Sequence, residues 1–385
     1  MTKGYTLFAL GFRPFFLCAG LSGVLLLVAW LCFLAGHLPA NVYYGPIGWH
    51  SHEMLFGFAT AIVAGFLLTA VRNWTGINTV TGKPLAALAG LWLAGRILPF
   101  LPVPAGLIAV VDLAFLPMLA LALRYPLMKA ESKNNRVFLL ALALASFANL
   151  LVHLQALGVT TGSAVAGTGM MRYLILWLLV IVTGRIMPFF TRTGAPGVMP
   201  VSRDGIENLA VIFLFGLMIA DVLFPASWLS GLMAAALTVV HIIRVKGWYD
   251  RRIWAHPILW VLYTAYFWLI ASFALQAMSG AGWIAPNLAT HAFTYGTVGI
   301  FTMGMMSRVA LGHTGRMLET VKPINIAFII LNVGAFVRVV MPIVAPGQYN
   351  IWLFISGGLW LVGFLIFCVV YLPILISPRA DGQPG

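Results

Sequence analysis

The sequence predicts an all-α polytopic membrane protein, and three observations carry that expectation. Hydrophobic residues make up 62% of the 385 residues and charged residues only 8%, against roughly 45–50% and 25% in a soluble domain. Mean hydropathy is +0.99, and the apolar residues fall in runs of about 20, the length of one helical crossing. The charges, finally, are sorted by side. This composition excludes a soluble enzyme and a disordered chain. Cys18, Cys32 and Cys368 each lie inside an apolar run and form no CxxC or CxxCH motif, so a disulfide scaffold and a c-type haem attachment are excluded too. The net charge of +13 comes from basic residues spread over short loops, with no continuous groove for nucleic acid.

In chain order the spans read as 15–36, 51–71, 84–101, 105–124, 137–157, 170–190, 207–224, 226–243, 256–278, 290–310, 324–344 and 350–373, which makes about twelve. The stretch from Pro99 to Pro104 separates the third from the fourth. The loops 37–49, 99–104, 158–169, 225, 279–289 and 345–349 contain no Lys, Arg, Asp or Glu. Of the 22 basic residues, all but Arg96, Arg172, Arg185 and Arg338 fall on the other side, from Lys3 to Arg379. The positive-inside rule then places both termini in the cytoplasm. The first run is longer than a signal-peptide core and lacks a small-residue cleavage site, so it reads as a retained helix. No connection is long enough for an extramembrane domain, and residues 1–385 read as a single transmembrane domain.

Residues 52–84 and 291–323 match without a gap at an offset of 239: His52 falls on His291, Gly57 on Gly296, Gly65 on Gly304, Thr75-Gly76 on Thr314-Gly315, and Lys83-Pro84 on Lys322-Pro323. Apolar matches between helices carry little, but polar and helix-breaking residues in register point to a duplication. The sixth span ends in a related Thr193-Gly194 without a histidine, and suggests three pseudo-repeated groups of four helices.

An ionisable side chain at membrane depth costs at least about 2.5 kcal/mol and needs a partner or a task. His50, His52, His153 and His291 converge on the outer ends of spans 2, 5 and 10, a pattern that suits metal or haem, since imidazole ligates iron, copper and zinc alike. His50 and His52 point about 200° apart on a helix and so would serve two centres, whereas His50 and Glu53 share a face. Arg96, Arg172 and Arg338 either snorkel to the outer headgroups or neutralise haem propionates. Asp112, near mid-span, is either a proton relay or a structural hydrogen-bonding group. His37, His241 and His256 read as interfacial. Leu311 to Arg316 is either a tight turn or a headgroup site, and Met303, Met305 and Met306 read as packing.

Gly11-Phe12-Arg13-Pro14-Phe15-Phe16, Trp49-His50-Ser51-His52-Glu53-Met54-Leu55-Phe56-Gly57-Phe58, the run from Gly184 to Thr191 and Leu311-Gly312-His313-Thr314-Gly315-Arg316 together resemble the NnrS family. The resemblance implies a twelve-helix protein of the bacterial inner membrane that contains haem and copper and is associated with denitrification and nitric oxide tolerance. More distantly the architecture is similar to the haem-copper oxidases and nitric oxide reductases, where histidines near the outer ends of helices 2 and 10 hold a haem. Spans 6 and 7 here lack the histidines that hold the second metal in that superfamily.

These readings give a working site. His52 and His291 are the expected axial ligands of haem b, with Arg96, Arg172 and Arg338 beside it. His50 and His153, with Glu53, are expected to hold copper, Glu53 doubling as the proton donor. Nitric oxide would be bound or reduced there with electrons from quinol. The other reading is a non-catalytic transporter or sensor for haem, copper or a metal–nitrosyl species.

Overall fold

A computed structural model describes residues 6–38, 43–131 and 133–383, and among them every regular element is helical. Lys3 and residues 39–42, in the connection that follows the first apolar run, lie outside the described residues. Twelve helices follow the twelve apolar runs. They are α1 Phe12–Leu34, α2 Pro46–Thr75, α3 Lys83–Ile97, α4 Ala105–Lys129, α5 Val137–Ala156, α6 Ser163–Gly194, α7 Asp204–Leu223, α8 Trp228–Trp248, α9 Pro257–Gly280, α10 at 286–313, α11 Lys322–Val344 and α12 Pro346–Ile376. Ten are long and apolar enough to cross a membrane. Of the others, α3 has 15 residues and is extended by a 3-10 turn, Leu98–Phe100. Helix α10 reaches full length only through an internal π-helical segment. The protein is thus an all-α polytopic membrane protein, as its composition requires.

The polar and helix-breaking residues of the repeat mark the same boundaries in both copies. Helix α2 opens at Pro46 and α10 at Pro286, where proline fits the first turn. Directly after His52 and His291 the backbone widens into π-helix, over Glu53–Phe58 and Ala292–Gly299. Gly76 and Gly315 then end the helices in the left-handed region, at φ 69° and 70°, where a Cβ would be strained. Lys83-Pro84 and Lys322-Pro323 start the next helix in each copy. The two segments thus share backbone features as well as residues. Helix α6, the suggested third member, is α-helical throughout.

The chain divides into two compact units. One comprises Met1–Ile175, Val309–Met317 and Cys368–Gly385, the other Leu176–Arg308 and Leu318–Phe367. In the first, Gly65 lets α1 approach α2 closely, since a Cβ there would sit 2.8 Å from the Phe16 ring. The Phe12 amide donates to Thr69 Oγ1 at 3.1 Å. Arg13, fully buried, donates from Nη1 to the carbonyls of Leu375 at 2.9 Å and Ser377 at 2.8 Å. It caps the last turn of α12, where the helix dipole favours a cation. The Leu311–Arg316 segment is a helix end: the Arg316 amide donates to Leu311 O, Ala380 to Thr314 O and Arg379 Nη1 to His313 O. Of its two readings, the structure shows the turn.

In the second unit Tyr295 donates to Ser356 O at 2.9 Å and packs edge-on against Trp360. Gly299 and Gly334 leave room for the Trp360 and Tyr295 side chains. His241 is fully buried rather than interfacial, its Nδ1 2.7 Å from Tyr266 OH. Beside it Arg244 donates to Glu207 Oε1 at 2.9 Å, to Val180 O at 2.8 Å and to Tyr266 OH at 3.3 Å. The membrane interior forces such pairing, because an isolated charge is costly there. Gly184 of the Gly184–Thr191 run leaves the room that the Arg244–Glu207 pair occupies.

Replacing Arg13 with Ala removes charge-assisted bonds from the end of α12 and should cost about 2–4 kcal/mol. Thermal unfolding in detergent would show a lowered midpoint for Arg13→Ala, and Arg13→Lys would restore only part of it, having no planar fork to span several carbonyls.

Candidate metal centre

The site is built in the first unit, by α2, α3, α4 and α5. His52 and Asp112 lie six and seven residues in from the first residues of α2 and α4, about 10 Å at 1.5 Å per residue, and His153 lies three from the end of α5. His52 and His153 are 0% exposed and Asp112 is 5% exposed. His52 Nε2 is 3.2 Å and His153 Nε2 3.0 Å from Asp112 Oδ2. One ligand atom from each of the three falls within 4.8 Å of the others. Asn149, one helical turn before His153, donates to Asp112 Oδ2 at 2.8 Å and turns its Oδ1 to His52 Nε2 at 3.0 Å. Two imidazole nitrogens, a carboxylate and an amide oxygen thus converge, a mixed N/O set suited to a first-row transition metal.

Groups around this cluster fix its members. Glu53 Oε1 accepts from His52 Nδ1 at 3.0 Å, which leaves Nε2 for the centre. Arg96 donates from Nη2 to Asp112 Oδ1. Its Nε lies at ion-pair distance, 3.0 Å, from Glu53 Oε2 without hydrogen-bond alignment. Tyr44 stacks on the His52 ring at 4.2 Å and Phe56 covers it at 5.1 Å. Tyr44 OH is 3.3 Å from His52 Nε2 and 3.4 Å from His153 Nε2, and Tyr43 OH is 3.1 Å from His153 Nδ1. Burial, reinforced by the Asp112 carboxylate, pushes the Tyr43 phenol up to about 12 and the Tyr44 phenol well above its usual value, so both keep their protons.

The charge balance is informative. Glu53 and Asp112 face one guanidinium, Arg96, and both ring nitrogens of His52 face oxygen acceptors, so the cluster is balanced either by a proton on His52 or by a metal cation in its place.

The π-helical turn shapes the site. It widens α2 directly after His52 and leaves Gly57 O to accept from Trp92 Nε1 at 3.1 Å, which ties α3 to α2. A Cβ on Gly57 would meet Arg96 Nη1 at 2.8 Å and Glu53 Oε2 at 3.0 Å, and one on Gly95 would meet Asp112 Oδ1 at 2.7 Å. Both glycines are required by close approach. π turns recur at functional sites for this reason.

The residues expected from sequence are redistributed. His153, His52 and Glu53 do come together, but His50 stacks on Trp30 at 4.3 Å, on the face of α2 that the i,i+2 spacing predicts. Arg96 is occupied by Glu53 and Asp112, and Arg172 lies over the Tyr173 ring. His291 belongs to the second unit. There its Nδ1 donates to Asn287 O at 2.7 Å, and its Nε2 accepts from Arg338 Nη2 at 3.0 Å. Arg338 also donates to Tyr349 OH at 3.1 Å. Sequence reading did not join Asp112 and Asn149 to the histidines. The Asn149–His153 spacing of four residues on one helix face was the available signal.

Gly57→Ala should destabilise the protein by about 1–3 kcal/mol, the usual cost of overpacking. Gly90→Ala on α3, where a Cβ meets nothing, should be neutral or stabilising. Thermal melts of the two variants, run side by side, check the contrast.

Comparison with known proteins follows the same lines. The NnrS protein family matches residues 6–379, nearly the whole chain. No curated protein gives a significant match.

Proposed function

The chain belongs to the NnrS family, and from that premise we propose that it is a membrane protein of the nitric oxide response that binds nitric oxide at a metal held by His52, Asp112 and His153. The observation that carries this reading is the convergence of His52 Nε2, His153 Nε2 and Asp112 Oδ2 within 4.8 Å in a buried cluster. Copper suits it, because imidazole ligands favour that metal. The metal would contribute an open coordination position for a diatomic and one-electron redox chemistry.

The chain's own residues do the rest. Asn149 and Arg96 hold Asp112 in place, and Glu53 orients His52 through Nδ1. The protonated phenols of Tyr43 and Tyr44 supply hydrogen-bond donors beside the ligand atoms. Glu53 is the nearest carboxyl able to pass a proton inward if nitric oxide is reduced, with quinol as the electron donor. Zero exposure at His52 and His153 supports a resident metal over the labile loading site that a carrier requires.

The haem is assigned elsewhere. Tyr44 stacks on the His52 ring and Phe56 covers it, and Asp112 and Asn149 crowd Nε2, which leaves room for an ion but none for a macrocycle. His291 has the tether a haem ligand needs, since Nδ1–H is tied to a backbone carbonyl, and its Nε2, which accepts from Arg338, would pass to the iron once Arg338 paired with a propionate instead. Arg338 and Tyr349, next to it, suit haem propionates. Haem b is therefore proposed on His291 in the second unit, copper on His52, Asp112 and His153 in the first.

Metal analysis and pyridine haemochrome assays on purified variants test the assignment. Asp112→Ala and His153→Ala should each lower copper at least about tenfold and leave haem in place, as loss of one ligand predicts. His291→Ala should lose haem and keep copper, and His50→Ala should keep both. Copper retained in Asp112→Ala, or lost in His50→Ala, would sink the proposal.

A further inference from the structure

Four arginines are buried: Arg13, Arg96, Arg244 and Arg308. Three hold acceptors, namely carbonyls for Arg13, carboxylates for Arg96, and Glu207 with Val180 O for Arg244. Arg308, on α10 in the second unit, is 6% exposed, and among the described residues it makes no hydrogen bond or ion pair. Its guanidinium instead lies over the Phe190 ring, 3.9 Å from the centroid. The preceding residue, Ser307, is fully buried and its Oγ also has no partner.

A buried cation with no anion beside it is costly. The ring contact offsets part of that cost. It also decides what remains available, because stacking uses the face of the guanidinium and leaves the N–H edge free for a two-pronged oxyanion. None of the Arg308 nitrogens is sealed from the surface, so the remaining exposure includes that edge. Arg308 lies five residues from the end of α10, about 7 Å along the axis, on the side of the charged loops. That is the level at which the phosphates of a bilayer leaflet begin.

We propose that Arg308, shelved on Phe190, is a binding site for the phosphate of an anionic phospholipid. Pockets of this kind between helices, on the basic face of a membrane protein, suit such headgroups. The lipid supplies the missing negative charge and, through its chains, apolar contact with the surrounding helices. The site is independent of the metal and of the haem.

Native mass spectrometry of the full-length protein in detergent, titrated with phosphatidylglycerol or with phosphatidylcholine, tests it. The wild type should prefer phosphatidylglycerol by about tenfold, because the ammonium of phosphatidylcholine cancels the charge of its own phosphate. Arg308→Gln should abolish the preference, and Arg308→Lys should retain part of it. Phe190→Leu, which keeps the charge and removes the shelf, should weaken it in a protein that still folds. An undiminished preference in Arg308→Gln would overturn the proposal. So would displacement of phosphatidylglycerol by equimolar inorganic phosphate, which would assign the site to a free anion.

Discussion

Arg96 is the constraint on which the candidate site depends. It lies in the last turn of an apolar helix, where a charge survives in a membrane only if paired, and it is paired twice, with Asp112 and with Glu53. Those contacts fix the two carboxylates. Asp112, pinned through Oδ1, presents Oδ2 to His52, His153 and Asn149, while Glu53, pinned through Oε2, presents Oε1 to His52. One guanidinium thus orients both the central carboxylate and the histidine beside it. The same contacts hold both carboxylates against the His52 ring.

The backbone is adapted to that pairing. A regular α2 would present His52 and Glu53 on a closely wound surface, with Gly57 carbonyl engaged within the helix. The π turn opens the surface and frees the carbonyl for Trp92, and Gly57 and Gly95 remove the side chains that would displace the guanidinium and Asp112. Each device trades helix regularity for room around a buried charge. Gly184 beside Arg244 and Glu207 does the same in the other unit. Several glycines of the characteristic motifs thus answer to buried ion pairs rather than to turns.

The fold was legible because lipid imposes it. Apolar runs of helical length allow few structures other than helices, and Pro46, Pro286, Gly76 and Gly315 marked the boundaries. The repeat was legible through residues that have backbone tasks. The site was only half legible, for a physical reason. Helix geometry shows which residues share a face, so His50 and His52 were rightly separated. It does not show which helices meet. Asp112 lies on α4 and Asn149 on α5, and their contact with His52 depends on packing that no spacing encodes. Arg96 illustrates the same limit, since a snorkelling arginine and one folded back onto two carboxylates have identical sequence signatures.

The two copies of the repeat differ in charge far more than in backbone. Each puts a histidine directly before a π-helical segment and closes with a left-handed glycine. After His52 comes Glu53, and the ring nitrogens face oxygen atoms of Glu53, Asp112 and Asn149. After His291 comes Ala292, and the ring faces Arg338 with its carbonyl tether on the other side. A histidine among acceptors recruits a cation; a histidine beside a guanidinium cannot hold a bare metal ion cheaply, because like charges would face each other in a medium of low dielectric. It can hold a metal whose own ligand carries carboxylates, since the arginine then pairs with those. The two segments share one histidine-bearing π turn, and on the reading proposed above the neighbouring charges decide whether it takes an ion or an anionic cofactor.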